Sequence, residues 1–136
     1  MVNKERDAEA HIQALIERWA NAVQQQDLET IMADHATDLV MFDVPPPNEL
    51  RGIEAYRDSW GPFFDHFKYG GVFAIERLDV TAGDRVAFAT ASLRCGTKDE
   101  LEKDPATRLR LTVGLRKEGD RWIIAHEHHS YAYKSD

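Results

Sequence analysis

The chain has 136 residues, 43% of them hydrophobic and 30% charged, with a formal net charge of −7 at neutral pH. A length of this order suits one core, and the composition excludes both a disordered chain and a bilayer-spanning helix. The acidic balance excludes nucleic acid as the partner, because phosphate binding draws on a surplus of Lys and Arg on one face. The single cysteine, Cys95, rules out an intrachain disulfide and reads as a buried structural thiol within a strand. The opening Met1 to Asp7 is charged and lacks the apolar stretch of a secretory signal, so the expectation is a cytoplasmic protein with residues 1–136 forming one domain.

From Glu5 to Gln24 the apolar positions Ala8, Ile12, Leu15, Ile16, Trp19, Ala22 and Val23 recur at three- and four-residue spacing, which predicts an amphipathic helix. Asp27 is placed to cap a second, short helix whose buried stripe is Leu28, Ile31 and Met32. Leu39 to Val44 has the apolar and β-branched character of a strand, and Pro45-Pro46-Pro47 ends it, leaving Asp43 at the strand's end. Gly52 opens a third helix with Ile53, Tyr56, Trp60, Phe63, Phe64 and Phe67 on one stripe; Gly61-Pro62 should kink or break it.

Beyond Gly70-Gly71 the period changes from helical to alternating. Strands are predicted at Val72 to Thr81, Arg85 to Cys95, Arg108 to Lys117 and Arg121 to Tyr131, with hairpin turns at Ala82-Gly83-Asp84 and Glu118-Gly119-Asp120. Gly96 to Ala106 reads as a charged, solvated loop long enough to serve as a lid. Three helices followed by a mostly antiparallel sheet make an α+β fold with the helices on one face of the sheet. The mouth of such an arrangement is where a small-molecule site tends to form.

In order and spacing these segments resemble the NTF2-like superfamily, especially its SnoaL-like and ketosteroid-isomerase-like small bacterial proteins. The resemblance covers nearly the whole chain. It rests on Trp19 with Asp27-Leu28, Phe42-Asp43-Val44-Pro45-Pro46, Arg51 to Tyr56, Val86 to Ala89, Arg110 to Arg116, and Gly119 to Ser130. It implies a cone-shaped fold, three helices packed on a strongly curved, mixed and mostly antiparallel sheet, with a small hydrophobic molecule in the cone and no cofactor or metal. It also implies a homodimer formed through the sheet. In ketosteroid isomerase an Asp base shuttles the proton while a Tyr and a protonated Asp stabilise the enolate. Asp43 matches the base, Trp19 stands at the Tyr position and Thr112 at that of the second acid. The oxyanion donors are thus not carried over, and steroid isomerase activity itself is not expected.

Strict alternation along the last strand puts Trp122, Ile124, His126, His128 and Ser130 on one face, and Ile123, Ala125, Glu127, His129 and Tyr131 on the other. On the preceding strand Arg108, Arg110, Thr112 and Gly114 oppose Leu109, Leu111, Val113 and Leu115. The resemblance suggests that Trp122, His126, His128, Arg110 and Thr112 look into the cone. The expected catalytic set is Asp43 as base, His126 or His128 as proton donor and Arg110 as electrostatic stabiliser. Trp19, Tyr56, Trp60, Phe64, Thr112 and Ser130 would then contact the substrate.

The same residues admit other readings. A buried Asp beside Arg and His also makes a satisfied ionic network with no catalytic role. His126 and His128, sharing a strand face, would give a metal two ligands of the four that a closed tetrahedral site needs. A noncatalytic module that holds a ligand, or docks a partner through its sheet, uses the same pocket. The small residues Ala87, Ala89 and Ala91 suit close sheet packing, and a twofold interface would bury Leu93 or Ile123 from the convex side.

Overall fold

The computed structural model describes residues 4–68 and 70–134; the first residues of the charged opening, Met1 to Asn3, lie outside the described residues. Helix α1 (Lys4–Gln25) buries the predicted stripe Ile12, Leu15, Ile16, Trp19 and Val23 and exposes the polar residues between them. Helix α2 (Leu28–Met32) starts where Asp27 accepts from the Thr30 backbone N–H at 3.3 Å and the Thr30 hydroxyl at 2.6 Å, satisfying a donor that the first turn leaves unpaired. Among the described residues no helix is long and apolar enough to cross a membrane.

The remaining elements are β1 (His35–Phe42), β2 (Leu50–Arg51), α3 (Ile53–Phe67), β3 (Val72–Ala82), β4 (Val86–Gly96), α4 (Lys98–Lys103), β5 (Leu109–Glu118) and β6 (Arg121–Ser130). The strands form one six-stranded sheet in the order β2-β1-β6-β5-β4-β3. β1 runs parallel to β6 and every other pairing is antiparallel, giving the mixed, mostly antiparallel sheet expected from the sequence.

Besides β2, which was not expected, and β1, which begins at His35 instead of Leu39, two helices differ from expectation. α3 runs through Gly61-Pro62 without ending, because Pro62 removes a single N–H and both residues lie on the exposed side, where water reaches the freed carbonyl. The stretch read as a loop contains α4. Here the Thr97 hydroxyl accepts from the Glu100 backbone N–H at 3.2 Å, and the Glu100 carboxylate accepts from the Thr97 N–H at 2.8 Å. This reciprocal cap is encoded by Thr-x-x-Glu.

α1 packs on β3 and α3 on β1, so one face of the sheet is covered by helices. On that face Ala87, Ala89, Ala91 and Leu93 of β4 and Leu109, Leu111, Val113 and Leu115 of β5 join α1 in the core. Leu93 is therefore a core residue and not available to a twofold interface on the convex side, the place expected for Leu93 or Ile123. The alanine strip lets the helix layer approach the sheet closely. On the other, open face of β4, Val86 and Phe88 are 67% and 53% exposed.

Candidate active site

The geometry of the site follows from one bulge in β6. Across the β5–β6 hairpin Glu118 pairs with Arg121 and Leu115 with Ile124, but the next pair is Gly114 with His126, so Ala125 is the extra residue. A bulge of this kind turns the strand by one position and exchanges its faces. Trp122 and Ile124 before it, and Glu127 and His129 after it, all lie on the helix-covered face. In the unbulged register Leu111 would oppose His128; in this structure it opposes His129.

The exchange corrects the face expected for His126, His128 and Ser130, while Arg110 and Thr112 of β5 lie outside the cone because they alternate with the buried Leu109, Leu111 and Val113. All of these lie on the open side. His126 Nδ1 donates to the Val40 carbonyl at 2.7 Å, and the Phe42 ring meets both His126 and His128 edge-on at 5.0 and 5.4 Å. Arg110 donates to the Ser130 hydroxyl and the Tyr131 carbonyl, both at 3.2 Å, and Thr112 is exposed opposite His128. None of the five lines the cavity described below.

In their place, Glu127 is the centre of a buried network. It is 1% exposed. One carboxylate oxygen, Oε2, accepts from His35 Nε2 at 2.6 Å and from the Tyr56 hydroxyl at 2.8 Å, while Oε1 accepts from His129 Nε2 at 2.8 Å. The Tyr56 hydroxyl in turn accepts from the Trp19 indole N–H at 2.9 Å. Burial by itself would raise the Glu127 carboxyl. The hydrogen bonds from His129 and His35, reinforced by their charge, override it and hold the group down to about 2, so Glu127 is a carboxylate. The same burial, together with the Glu127 charge, drives the Tyr56 hydroxyl well up, and it stays a neutral donor.

His129 connects this network to a cavity. Its Nε2–H is committed to Glu127, and its Nδ1 lies 3.8 Å from Asp43 Oδ1. That gap is longer than a hydrogen bond, so Asp43 acts on the ring through its charge. Burial disfavours the His129 cation, but the hydrogen bond and charge of Glu127, followed by the charge of Asp43, outweigh burial and raise its titration above the ordinary histidine range. Asp43 is oriented at the end of β1 by accepting the Val44 backbone N–H at 2.8 Å.

The cavity lies between α3 and the sheet and has a volume of about 410 Å³. Asp43 and His129 stand on its sheet side with Cys95 and Tyr131; Trp60, Phe63 and Phe67 of α3 and Phe73 of β3 supply aromatic wall. Burial pushes the Cys95 thiol up to about 11 and raises the Tyr131 hydroxyl, so neither supplies an anion at neutral pH. At the rim His66 of α3 faces both Glu100 carboxylate oxygens of α4 at 3.1 Å, joining the two helices across the mouth.

Of the residues expected from the sequence, Asp43 and Trp60 reach the cavity. Tyr56 and Trp19 are buried behind its wall as part of the Glu127 network, and Phe64 stacks on Trp60 with ring centroids 5.9 Å apart. Sequence reasoning missed His35, Glu127 and His129. A signal for the last two was available: Leu109, Leu111, Val113 and Leu115 form an apolar row that must face the core. What pairs with that row faces the core too.

The SnoaL-like domain family matches residues 12–134 of the chain. An NTF2-like protein of unknown function from Pseudomonas putida KT2440 is 34% identical, with a TM-score of 0.86 over 97% of this chain and 92% of that one. A candidate dehydratase of the NTF2-like family from Streptomyces avermitilis, 17% identical, has a TM-score of 0.72 over 95% and 99% of the two chains. A candidate ketosteroid isomerase from Parabacteroides distasonis, 21% identical, has a TM-score of 0.66 over 89% and 85%. At those lower identities the likeness is one of fold. Among curated proteins none matches the chain. The matched domain, covering almost all of the chain, and the Pseudomonas putida structure together make this protein a member of the SnoaL-like domain family within the NTF2-like superfamily.

Proposed function

We propose that the cavity carries out cofactor-independent acid–base chemistry on a small, largely apolar molecule bearing a carbonyl or hydroxyl group, as an isomerase, cyclase or dehydratase does. The observation that carries this reading is the position of His129. One ring nitrogen is fixed by a buried carboxylate at 2.8 Å, and the other stands 3.8 Å from Asp43 on the wall of an aromatic cavity. A carboxylate that holds one imidazole N–H fixes the ring's tautomer and orientation, and leaves the opposite nitrogen to take and return a proton.

In this reading His129 Nδ1 removes a proton from the carbon next to a carbonyl, or from a hydroxyl, and delivers it to a second position. Asp43 stabilises the imidazolium that forms, or accepts the proton at the second site. The apolar walls exclude water and strengthen both interactions. Arg110, His126 and His128 take no part, since they lie on the open face.

The test is exchange of carbon-bound hydrogen for deuterium in a panel of small aromatic ketones, followed by mass spectrometry in D2O. His129→Gln is expected to lower the exchange rate by about 100-fold or more, the size of a lost general base, while His128→Gln leaves it unchanged. Equal loss in both variants, or loss in His128→Gln alone, overturns the assignment.

The exposed Val86 and Phe88 favour a second property: a homodimer formed through the open face of the sheet, where two apolar side chains would leave water. This is compatible with catalysis and with a purely ligand-holding role for the cavity.

A further inference from the structure

Glu127 is a buried carboxylate serving two imidazoles, and only one of them reaches the cavity. The second, His35, opens β1 and its side chain is 0% exposed. Its Nε2 faces Glu127 Oε2 at 2.6 Å, and its Nδ1 faces the Ala33 carbonyl oxygen at 2.9 Å. A carbonyl oxygen accepts and does not donate, and the same holds for the ionised Glu127 carboxylate. Both ring nitrogens of His35 therefore carry hydrogen. The ring also lies stacked on Tyr56, with centroids 4.7 Å apart at 28°, so its orientation is fixed by packing as well as by hydrogen bonds.

We infer that His35 is a positioning residue of the site: a buried cation that neutralises Glu127 from behind, so that Glu127 orients His129 without fixing a second proton on it permanently. This inference rests on the acid–base reading of His129. The physical reasoning concerns how one negative charge is divided. If Glu127 faced His129 alone, the full attraction of a buried carboxylate would fall on that ring, and the imidazolium would persist far above neutral pH. Such a ring donates a proton but cannot accept one. A cation on the other carboxylate oxygen cancels part of that field and brings the ring nearer the range in which it does both.

The charged and titratable groups around His129 are few enough to assign the effect. Glu127 faces it from β6 itself, Asp43 from the end of β1, and Tyr56 of α3 lies behind Glu127. Cys95 of β4, Tyr131, His66 of α3 and Glu100 of α4 share the cavity wall or its rim. His35 reaches this set only through Glu127 and does not line the cavity, so changing it leaves the cavity-lining groups and the His129 ring's own partners in place.

The test is an NMR titration of the imidazole rings in wild type and His35→Gln. Gln keeps an N–H donor for Glu127 and removes the charge. The midpoint of His129 is expected to rise by about one pH unit in the variant; a midpoint that stays constant or falls overturns the inference. If His35→Gln does not fold, the wild-type spectrum decides the matter by itself. At pH 7 both ring nitrogens of His35 should show bonded hydrogen, and a bare nitrogen contradicts the proposal. Neither readout involves turnover, so a failure here is distinct from a failure of the deuterium-exchange test.

Discussion

Glu127 is the side chain on which the interior is balanced. Removing a buried carboxylate's charge while its partners stay leaves His35 and His129 with uncompensated N–H groups. Glu127→Gln should cost about 3 kcal/mol in urea unfolding at pH 7. The pH dependence has two limbs of opposite sign. The Glu127 carboxyl is depressed on folding, so its contribution is complete above its unfolded value of 4.5 and is lost as the pH falls toward about 2. His129 is raised on folding, so its contribution is complete below its unfolded value of 6.5 and is lost as the pH rises through the higher folded value. Thermal midpoints measured by calorimetry across pH 2 to 9 should therefore peak between about 4.5 and 6.5, and both limbs should flatten in Glu127→Gln.

At the scale of elements, β6 decides which chemistry reaches the cavity. One extra residue, Ala125, separates an interior lined by His126 and His128 from one lined by Glu127 and His129. Deleting Ala125 would bring His126 and His128 inward and turn Glu127 out, stranding His35 and Tyr56 without their acceptor. The expected result is loss of cooperative unfolding in circular dichroism, whereas deleting one residue from a hairpin turn in a merely tolerant strand would leave a sharp transition. Helices α1, α2 and α3, the α2 cap at Asp27 and both hairpins were legible in the sequence because each depends on local spacing, whereas the stretch holding α4 reads as a loop. The bulge was not, since Ala125 carries no turn chemistry and its place is fixed only by the fit of Ile124 and Glu127 to the opposite row of β5. His35 was missed for a related reason: its partner lies 92 residues away. Asp43 and Trp60 could be placed at the cavity because a strand end and a helix stripe are local features.

For the whole molecule, the sheet has two unlike faces. The covered face holds the cavity and its ionic network, and the open face presents Val86 and Phe88 beside a row of polar residues. Phe88→Glu is expected to shift sedimentation equilibrium from dimer toward monomer at micromolar concentration and to leave the His129 environment unchanged. A wild-type monomer would remove that interface.

We propose His129 as the proton-carrying group of the cavity, governed by Glu127 on one side and Asp43 on the other. The most direct measurement is the NMR titration of the His129 ring in wild type and Asp43→Asn. Wild type should titrate above 6.5, and the variant lower by about half a pH unit or more, because one of the charges that favours the imidazolium is gone. A wild-type midpoint at or below 6.5, or the same midpoint in both proteins, would contradict it.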